Sequence, residues 1–332
     1  MSAGVILTMV ARMHDDQAVQ PVLSFREVSF TYRGDWMQRI TALREVSFTI
    51  LPGQACGFLG ANGAGKSTSI KLIMGLLHGH SGDIRLFDRP IGPPELRRTV
   101  GYLPEQPFFY ENLSVEEYLR YLGRLSGLDG PRIRSACERV YEELDLGDLR
   151  RRFLRSFSKG MRQRFGLAQA IFAGPDLLVL DEPFSGLDPL WRSRFREILL
   201  AERSRGATLF FSSHILSDVE DICDHYVIID HGQVLEAGEL SGLFAQAPVQ
   251  MVGEGPAPAE AELLSGGHWR WIFPEQRRTV ALRTVQECGG SILRLERQRQ
   301  ALEDYFVNRV RSSHKAGQAL HASDDDNGEA AP

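Results

Sequence analysis

Gly60-Ala61-Asn62-Gly63-Ala64-Gly65-Lys66-Ser67-Thr68 carries the densest chemistry in the chain and fits G-x-x-x-x-G-K-S/T. Glycines at this spacing let successive backbone N–H groups close around phosphate oxygens, and a helix that starts at the end of the loop adds the positive end of its dipole. Lys66 is expected to reach the β and γ phosphates of a nucleotide, and the Ser67 hydroxyl to ligate Mg²⁺. A second cluster follows downstream, where Leu177-Leu178-Val179-Leu180 runs into Asp181 and Glu182. Two adjacent carboxylates at that point are expected to divide the work: Asp181 would hold Mg²⁺ through its water shell, and Glu182 would orient and deprotonate an attacking water.

Such groups need a rigid frame. Ala55 to Leu59 is a short apolar run leading into the loop, and Ile70, Ile73, Met74 and Leu77 recur at helical spacing within Ser67 to Leu77. The order is strand, loop, helix. Leu177 to Leu180 is continuously apolar, as in a strand buried on both faces of a parallel sheet, and Ala207 to Phe211 resembles it. That strand delivers Asp181 and Glu182 to the edge of the sheet where α/β ligands bind. Upstream, Val22, Leu23, Phe25, Val28 and Phe30, then Leu43, Val46, Phe48 and Ile50, predict two half-exposed strands separated by a polar turn region at Arg33-Gly34-Asp35. Ser114 and Glu117 form a capping box that opens a helical stretch running to about Leu146, and another helix follows Ser158-Lys159-Gly160. Strands alternating with helices in this way predict an α/β domain with a mostly parallel sheet.

Past Gln246 the texture changes, with Gly253-Glu254-Gly255-Pro256-Ala257-Pro258 as a break. Trp269 to Phe273 then reads as a strand, Pro274 to Cys288 as a helix, Ile292 to Leu295 as a strand and Ala301 to Val310 as a closing helix, together a small α+β domain. Residues 1–20 read as a flexible lead and residues 313–332, with Asp324-Asp325-Asp326, as a disordered acidic tail.

The chain has 332 residues, 43% apolar and 24% charged, the balance of a soluble globular protein with a real core. Its 38 basic and 43 acidic side chains leave a net charge of −5, which gives no electrostatic footprint for nucleic acid. Cys56, Cys137, Cys223 and Cys288 stand far apart with no metal-ligand spacing and read as reduced thiols of a cytosolic protein. No run reaches the roughly 18 apolar residues of a spanning helix, so the chain is not expected to cross a membrane by itself.

Taken together and in this order, the segments resemble the nucleotide-binding subunit of an ABC transporter over residues 22 to about 244. The resemblance implies a P-loop NTPase fold of the ABC cassette type, a mixed sheet core with an antiparallel β part and a helical signature subdomain, occupying residues 21–245. The small C-terminal α+β domain then spans residues 246–312. It implies ATP and Mg²⁺ as ligands and ATP hydrolysis as the activity. Tyr32 matches the aromatic that stacks on adenine, and Ser158-Lys159-Gly160-Met161 stands at the signature segment, which in the family holds the γ-phosphate bound by the other protomer. By its own chemistry Ser158 can cap the following helix, whose N-terminus and close-approaching Gly160 make an anion site. Ser185-Gly186-Leu187-Asp188 matches the D-loop; Asp188 either acts across a dimer interface or caps the helix beginning Pro189-Leu190-Trp191. Ser212-Ser213-His214 ends the next strand, with His214 as the γ-phosphate sensor.

Two departures stand out. The signature reads Phe157-Ser158-Lys159-Gly160-Met161 where the family's commonest form is Leu-Ser-Gly-Gly-Gln, so Lys159 adds a positive charge beside the phosphate and Met161 removes an amide. In Gly101-Tyr102-Leu103-Pro104-Glu105-Gln106 the family's metal-sensing glutamine falls at Glu105 by register and at Gln106 by chemistry, and either offers an oxygen to Mg²⁺. The aromatic run Phe108-Phe109-Tyr110 reads as core or as a partner surface, and the resemblance implies that it receives a coupling helix of a membrane subunit.

A single loop and a single signature require a second copy of the chain or a homologous ATPase subunit to complete each site. Integral-membrane permease subunits are the other implied partners, nucleic acid is not, and the location is cytoplasmic, peripheral on the inner face of the cell membrane. Leu302-Glu303-Asp304-Tyr305-Phe306 resembles the ending of bacterial export-type ATPases. A soluble ABC ATPase acting on a ribosome or nucleic-acid complex is the competing reading, although it would usually bring two cassettes or a coiled-coil insertion. A P-loop kinase or GTPase would not explain the signature, the D-loop and His214 together.

Overall fold

A computed structural model describes residues 19–33, 39–242 and 248–297. The flexible lead, the centre of the turn after Arg33, the closing helix with its Leu302 to Phe306 motif and the acidic tail lie wholly or almost wholly outside the described residues.

The alternating N-terminal segments form β1 (Leu23–Arg33) and β2 (Arg39–Ile50), paired antiparallel with Leu23 opposite Ile50 and Arg33 opposite Arg39. Alternation buries one face: Leu43, Val46, Phe48 and Ile50 point inward, and Phe25 stacks on Phe48 at 4.6 Å. Downstream come β3 (Ala55–Leu59), α1 (Lys66–Ile73), β4 (Ser81–Leu86) and β5 (Arg89–Pro90); β4 pairs with the free edge of β1, giving a sheet ordered β2-β1-β4-β5. The helix after the loop ends at Ile73, earlier than the apolar spacing to Leu77 predicts, because Gly75 closes the turn at φ 65°.

The second sheet uses β3, β6 (Val100–Leu103), β7 (Leu177–Asp181), β8 (Thr208–Ser213), β9 (His225–Asp230) and β10 (Gln233–Glu239) in the order β10-β9-β3-β8-β7-β6. Every neighbouring pair is parallel except β9 with β10. The runs Ala55–Leu59, Leu177–Asp181 and Thr208–Ser213 are buried at every residue, as two-sided strands must be. Period-two alternation splits them between two cores. Phe58, Val179 and Phe210 pack with Phe48 toward the antiparallel sheet, while Leu59, Leu180 and Phe211 pack toward the helices on the other side. The three adjacent strands β3, β8 and β7 end at one edge, with Leu59 level with Ser213 and Asp181 level with Ser212.

Helices α2 (Val115–Leu125), α3 (Gly130–Glu143) and α4 (Lys159–Ile171) build the predicted helical part. Each begins at a side-chain cap. Ser114 and Glu117 form the full capping box, Asp129 accepts from Arg132 N–H at 2.9 Å, and Ser158 accepts from Met161 N–H at 3.4 Å. Phe165 of α4 meets Phe109, Tyr118 and Phe157 edge-on, tying the helices to the loop after β6. Helices α5 (Pro189–Ser204) and α6 (Leu216–Glu220) follow β7 and β8.

The last described part contains β11 (Val249–Glu254), β12 (Glu262–Leu263), β13 (His268–Phe273), α7 (Arg278–Cys288) and β14 (Ser291–Arg297), with the sheet ordered β12-β13-β11-β14. Here the sequence reading misses an element. Gly253 and Glu254 belong to β11, an inner strand of this sheet, not to a break. A Cβ on Gly253 would lie 2.1 Å from the Trp269 ring, so the glycine is there to seat a tryptophan. Val249, Met251, Trp269, Trp271, Phe273, Ala281 and Val285 form a third core cluster.

Candidate nucleotide site

The loop from Gly60 to Gly65 leaves β3 at the shared strand edge and turns into α1 with Gly65 at the cap, φ 112°. Two glycines are dictated by space. A Cβ on Gly65 would stand 2.8 Å from Leu43 Cδ2 and 2.9 Å from the Ala42 carbonyl oxygen, and one on Gly60 would stand 2.4 Å from the Ile229 carbonyl oxygen. The loop therefore lies directly against β2 and β9. It walls a cleft of about 530 Å³ together with Tyr32, Thr41, Glu105, Glu182 and His214.

Lys66 is only 6% exposed, and its ammonium is satisfied within the loop: Nζ donates to the carbonyl oxygens of Gly60 at 2.6 Å and Ala61 at 3.2 Å. It also lies 3.5 Å from Glu182 Oε1. The Ser67 hydroxyl donates to Asp181 Oδ1 at 3.3 Å. Thr68 Oγ1 lies 3.2 Å from the Tyr32 hydroxyl, which fixes the aromatic at the cleft wall.

Asp181 ends β7 fully buried, and β8 supplies its partner, since the Ser212 hydroxyl donates to Asp181 Oδ1 at 2.6 Å. The same hydroxyl accepts from the Glu182 backbone N–H at 2.9 Å. Glu182 itself stands at φ 48°, a left-handed conformation that costs a non-glycine residue on the order of 1–3 kcal/mol and persists only where surroundings enforce it. Its neighbours do so: Ser212 holds the amide, Lys66 lies beside Oε1, and His214 Nδ1 meets Oε2 at 2.9 Å. Tyr102, next to this site on β6, has its phenol pushed up to about 12 by burial and by the charge of Asp181, so it stays neutral.

In the sequence Ser212 stands only as the first residue of Ser212-Ser213-His214. Its role depends on standing level with Asp181 across the β7–β8 pair, and nothing local in the sequence reveals that pairing.

Glu105 lines the cleft and Gln106 does not. Ser158, Lys159, Gly160 and Met161 also lie outside the cleft walls. Lys159 does not extend toward the chain's own loop; its aliphatic stem covers Gly186, with Cε 2.7 Å from where a Cβ would sit there. Asp188 caps α5 through an acceptor bond from Trp191 N–H at 2.9 Å, the second of its two sequence readings. The carboxylate and hydroxyl oxygens of Asp181 and Ser67 are hard donors of the kind Mg²⁺ takes.

A second cleft, about 790 Å³, opens beside the aromatic run. Phe109 is buried in the core while Phe108 is 83% and Tyr110 59% exposed, and Tyr121 of α2 lines the cleft with its ring edge-on to Tyr110.

Comparison with known proteins agrees with this geometry. A family model described as ABC transporter matches residues 43–185. The chain is 37% identical over 305 residues to an uncharacterised ABC transporter ATP-binding protein of Nostoc sp., covering 87% of this chain and 88% of that protein. It is 31% identical over 281 residues to the bacitracin transport ATP-binding protein BcrA of Bacillus licheniformis, covering 80% and 91% respectively. A solved structure of an ATP-binding subunit of an ABC transporter aligns with a TM-score of 0.61 at 34% identity, over 67% of this chain and 91% of that one. A loop built to wrap phosphates, two carboxylates brought to the same sheet edge by β7, one strand removed from β3, and these relatives lead to one assignment: the chain belongs to the ABC transporter family as an ATP-binding subunit, within a family that hydrolyses ATP.

Proposed function

We propose that the chain drives an exporter through ATP-dependent closure of a head-to-tail dimer. Two copies, or one copy and a homologous ATPase subunit, enclose ATP between Gly60–Thr68 of one protomer and Ser158–Gly160 of the other. The observation that carries this reading is the seating of Glu182, whose carboxylate lies 3.5 Å from Lys66 Nζ and 2.9 Å from His214 Nδ1 on the wall of the loop cleft. A second observation supports the dimer: Ser158 and Gly160 line no part of their own chain's cleft, so their helix N-terminus is available to a nucleotide held by a partner.

In this mechanism Lys66 and the loop amides bind the β and γ phosphates, and Tyr32 packs against the base. Glu182 takes a proton from water as its oxygen attacks the γ phosphorus and the bond to the β-phosphate oxygen breaks. His214 orients the carboxylate and meets the γ-phosphate. Ser67 and Asp181, with Glu105 at the cleft wall in preference to Gln106, would hold Mg²⁺, which when bound neutralises charge on the phosphates.

Closure is passed to separate integral-membrane permease subunits, with the exposed Phe108 and Tyr110 as the receiving surface and this chain peripheral on the inner face of the membrane. Among the described residues no helix is long and apolar enough to cross a membrane. Residues 21–245 form the cassette and 246–312 the appended domain. The relative named for bacitracin transport supports a transport role; export rests on the resemblance of Leu302 to Phe306. The test is turnover by Glu182→Gln. Loss of the general base lowers kcat at least ~10²-fold while ATP still binds, whereas a variant that hydrolyses at the normal rate overturns the reading.

A further inference from the structure

Arg192 and Asp218 have no part in the mechanism above, yet both line a cavity of about 250 Å³ that also reaches Glu182, Ser185 and His214. Arg192 lies in the first turns of α5, just after the Asp188 cap, and Asp218 lies in α6, directly after His214. Arg192 Nη2 donates to both Asp218 carboxylate oxygens, at 3.1 and 2.9 Å, and Asp218 is buried. The same guanidinium stands 5.9 Å from the centre of the Phe184 ring, two residues beyond Glu182. One side chain thus touches the segment that carries the carboxylate and pairs with the segment that carries the histidine. Burial pushes the Asp218 carboxyl up, and Arg192, with a smaller contribution from Arg196, opposes that rise. One turn farther along α5, Arg196 pairs with Asp221 at 2.8 Å, but this second rung does not line the cavity.

We propose that Arg192 and Asp218 are a positioning pair for ATP hydrolysis, setting the distance between the two segments so that His214 stays within hydrogen-bond reach of Glu182. The pair links the start of α5, just after the turn ending at Asp188, to the histidine segment. The inference rests on the roles proposed for Glu182 and His214. A positioned base is sensitive to small shifts, since a displacement of about 1 Å can cost ~10²-fold in rate.

The experiment compares ATP turnover and fluorescent ATP-analogue affinity in the full-length chain for Asp218→Asn, Arg192→Lys and Asp221→Asn, alone and with His214→Ala. Asp218→Asn and Arg192→Lys are expected to lower kcat about tenfold with nucleotide affinity within about twofold of wild type, and Asp221→Asn to stay within about twofold in both. On the His214→Ala background Asp218→Asn has no further effect, because the two act through one contact. Arg192→Lys keeps the charge and carries the same comparison if Asp218→Asn does not fold. An undiminished kcat in these variants, an equal loss in Asp221→Asn, or an undiminished further loss on His214→Ala overturns the pair. A His214→Ala chain as fast as wild type overturns the role of His214 and the pair with it, whereas a slow His214→Ala beside a fast Asp218→Asn overturns the pair alone.

Discussion

Glu182 draws the local chemistry together. It occupies a left-handed backbone position, its amide is held by Ser212, and its two carboxylate oxygens face Lys66 and His214. Lys66 is buried, donates to two loop carbonyls and lies beside that carboxylate, which follows β7. Among the described residues lining the cleft Lys66 carries the one ammonium, and Ala removes it. Lys66→Ala is expected to weaken ATP binding more than about tenfold, or 1.4 kcal/mol, in a fluorescent-nucleotide titration; unchanged affinity contradicts the loop's role. Glu105 lines the cleft and Gln106 does not, which favours register over side-chain chemistry as a guide to the metal-sensing position. Glu105→Ala should therefore raise the Mg²⁺ concentration needed for half-maximal turnover several-fold, to the order of 1 kcal/mol, and Gln106→Ala should leave it unchanged. The reverse pattern would return the assignment to Gln106. Loop and carboxylates were legible in the sequence because their chemistry is written in consecutive residues. Ser212, Arg192 and Asp218 were not, because each works through a partner on a different element.

At the scale of elements, strands buried on both faces and helices with side-chain caps were legible, since each follows from a local pattern. The Ser114–Glu117 box offers a direct check. Glu117 Oε2 accepts from the Ser114 N–H at 2.8 Å and from its hydroxyl at 2.7 Å, and these bonds hold the carboxyl below the ordinary glutamate range. Because the folded value is depressed, the stabilisation is present above the ordinary glutamate pKa and is lost as pH falls through the depressed one. Ser114→Ala is expected to lower Tm by roughly 2–4 °C at neutral pH. Glu117→Gln should destabilise at neutral pH and match wild type in acid, as read by thermal melts across pH; a difference that persists in acid contradicts the box. Strand β11 shows where local patterns fail. Gly253 looks like punctuation in the sequence, but in the fold it is the gap that admits Trp269 from the neighbouring strand. The placement of Lys159 is likewise hidden from local pattern: its stem covers Gly186, 27 residues farther along the chain.

For the whole molecule, the signature helix N-terminus and the loop cleft are separate surfaces of one chain, and the proposed mechanism needs a second protomer to bring them together. Moving such a closure equilibrium from 1:99 to 99:1 takes about 5.5 kcal/mol of differential binding, which a γ-phosphate touched by both protomers only in the closed state can supply. Removing the base without removing the phosphate should then trap the closed form. The most direct measurement is the solution mass of Glu182→Gln by light scattering after gel filtration, with ATP and with ADP. The account predicts a dimer, twice the 37.2 kDa chain mass, with ATP and a monomer with ADP; a chain that binds ATP and remains at the monomer mass contradicts it.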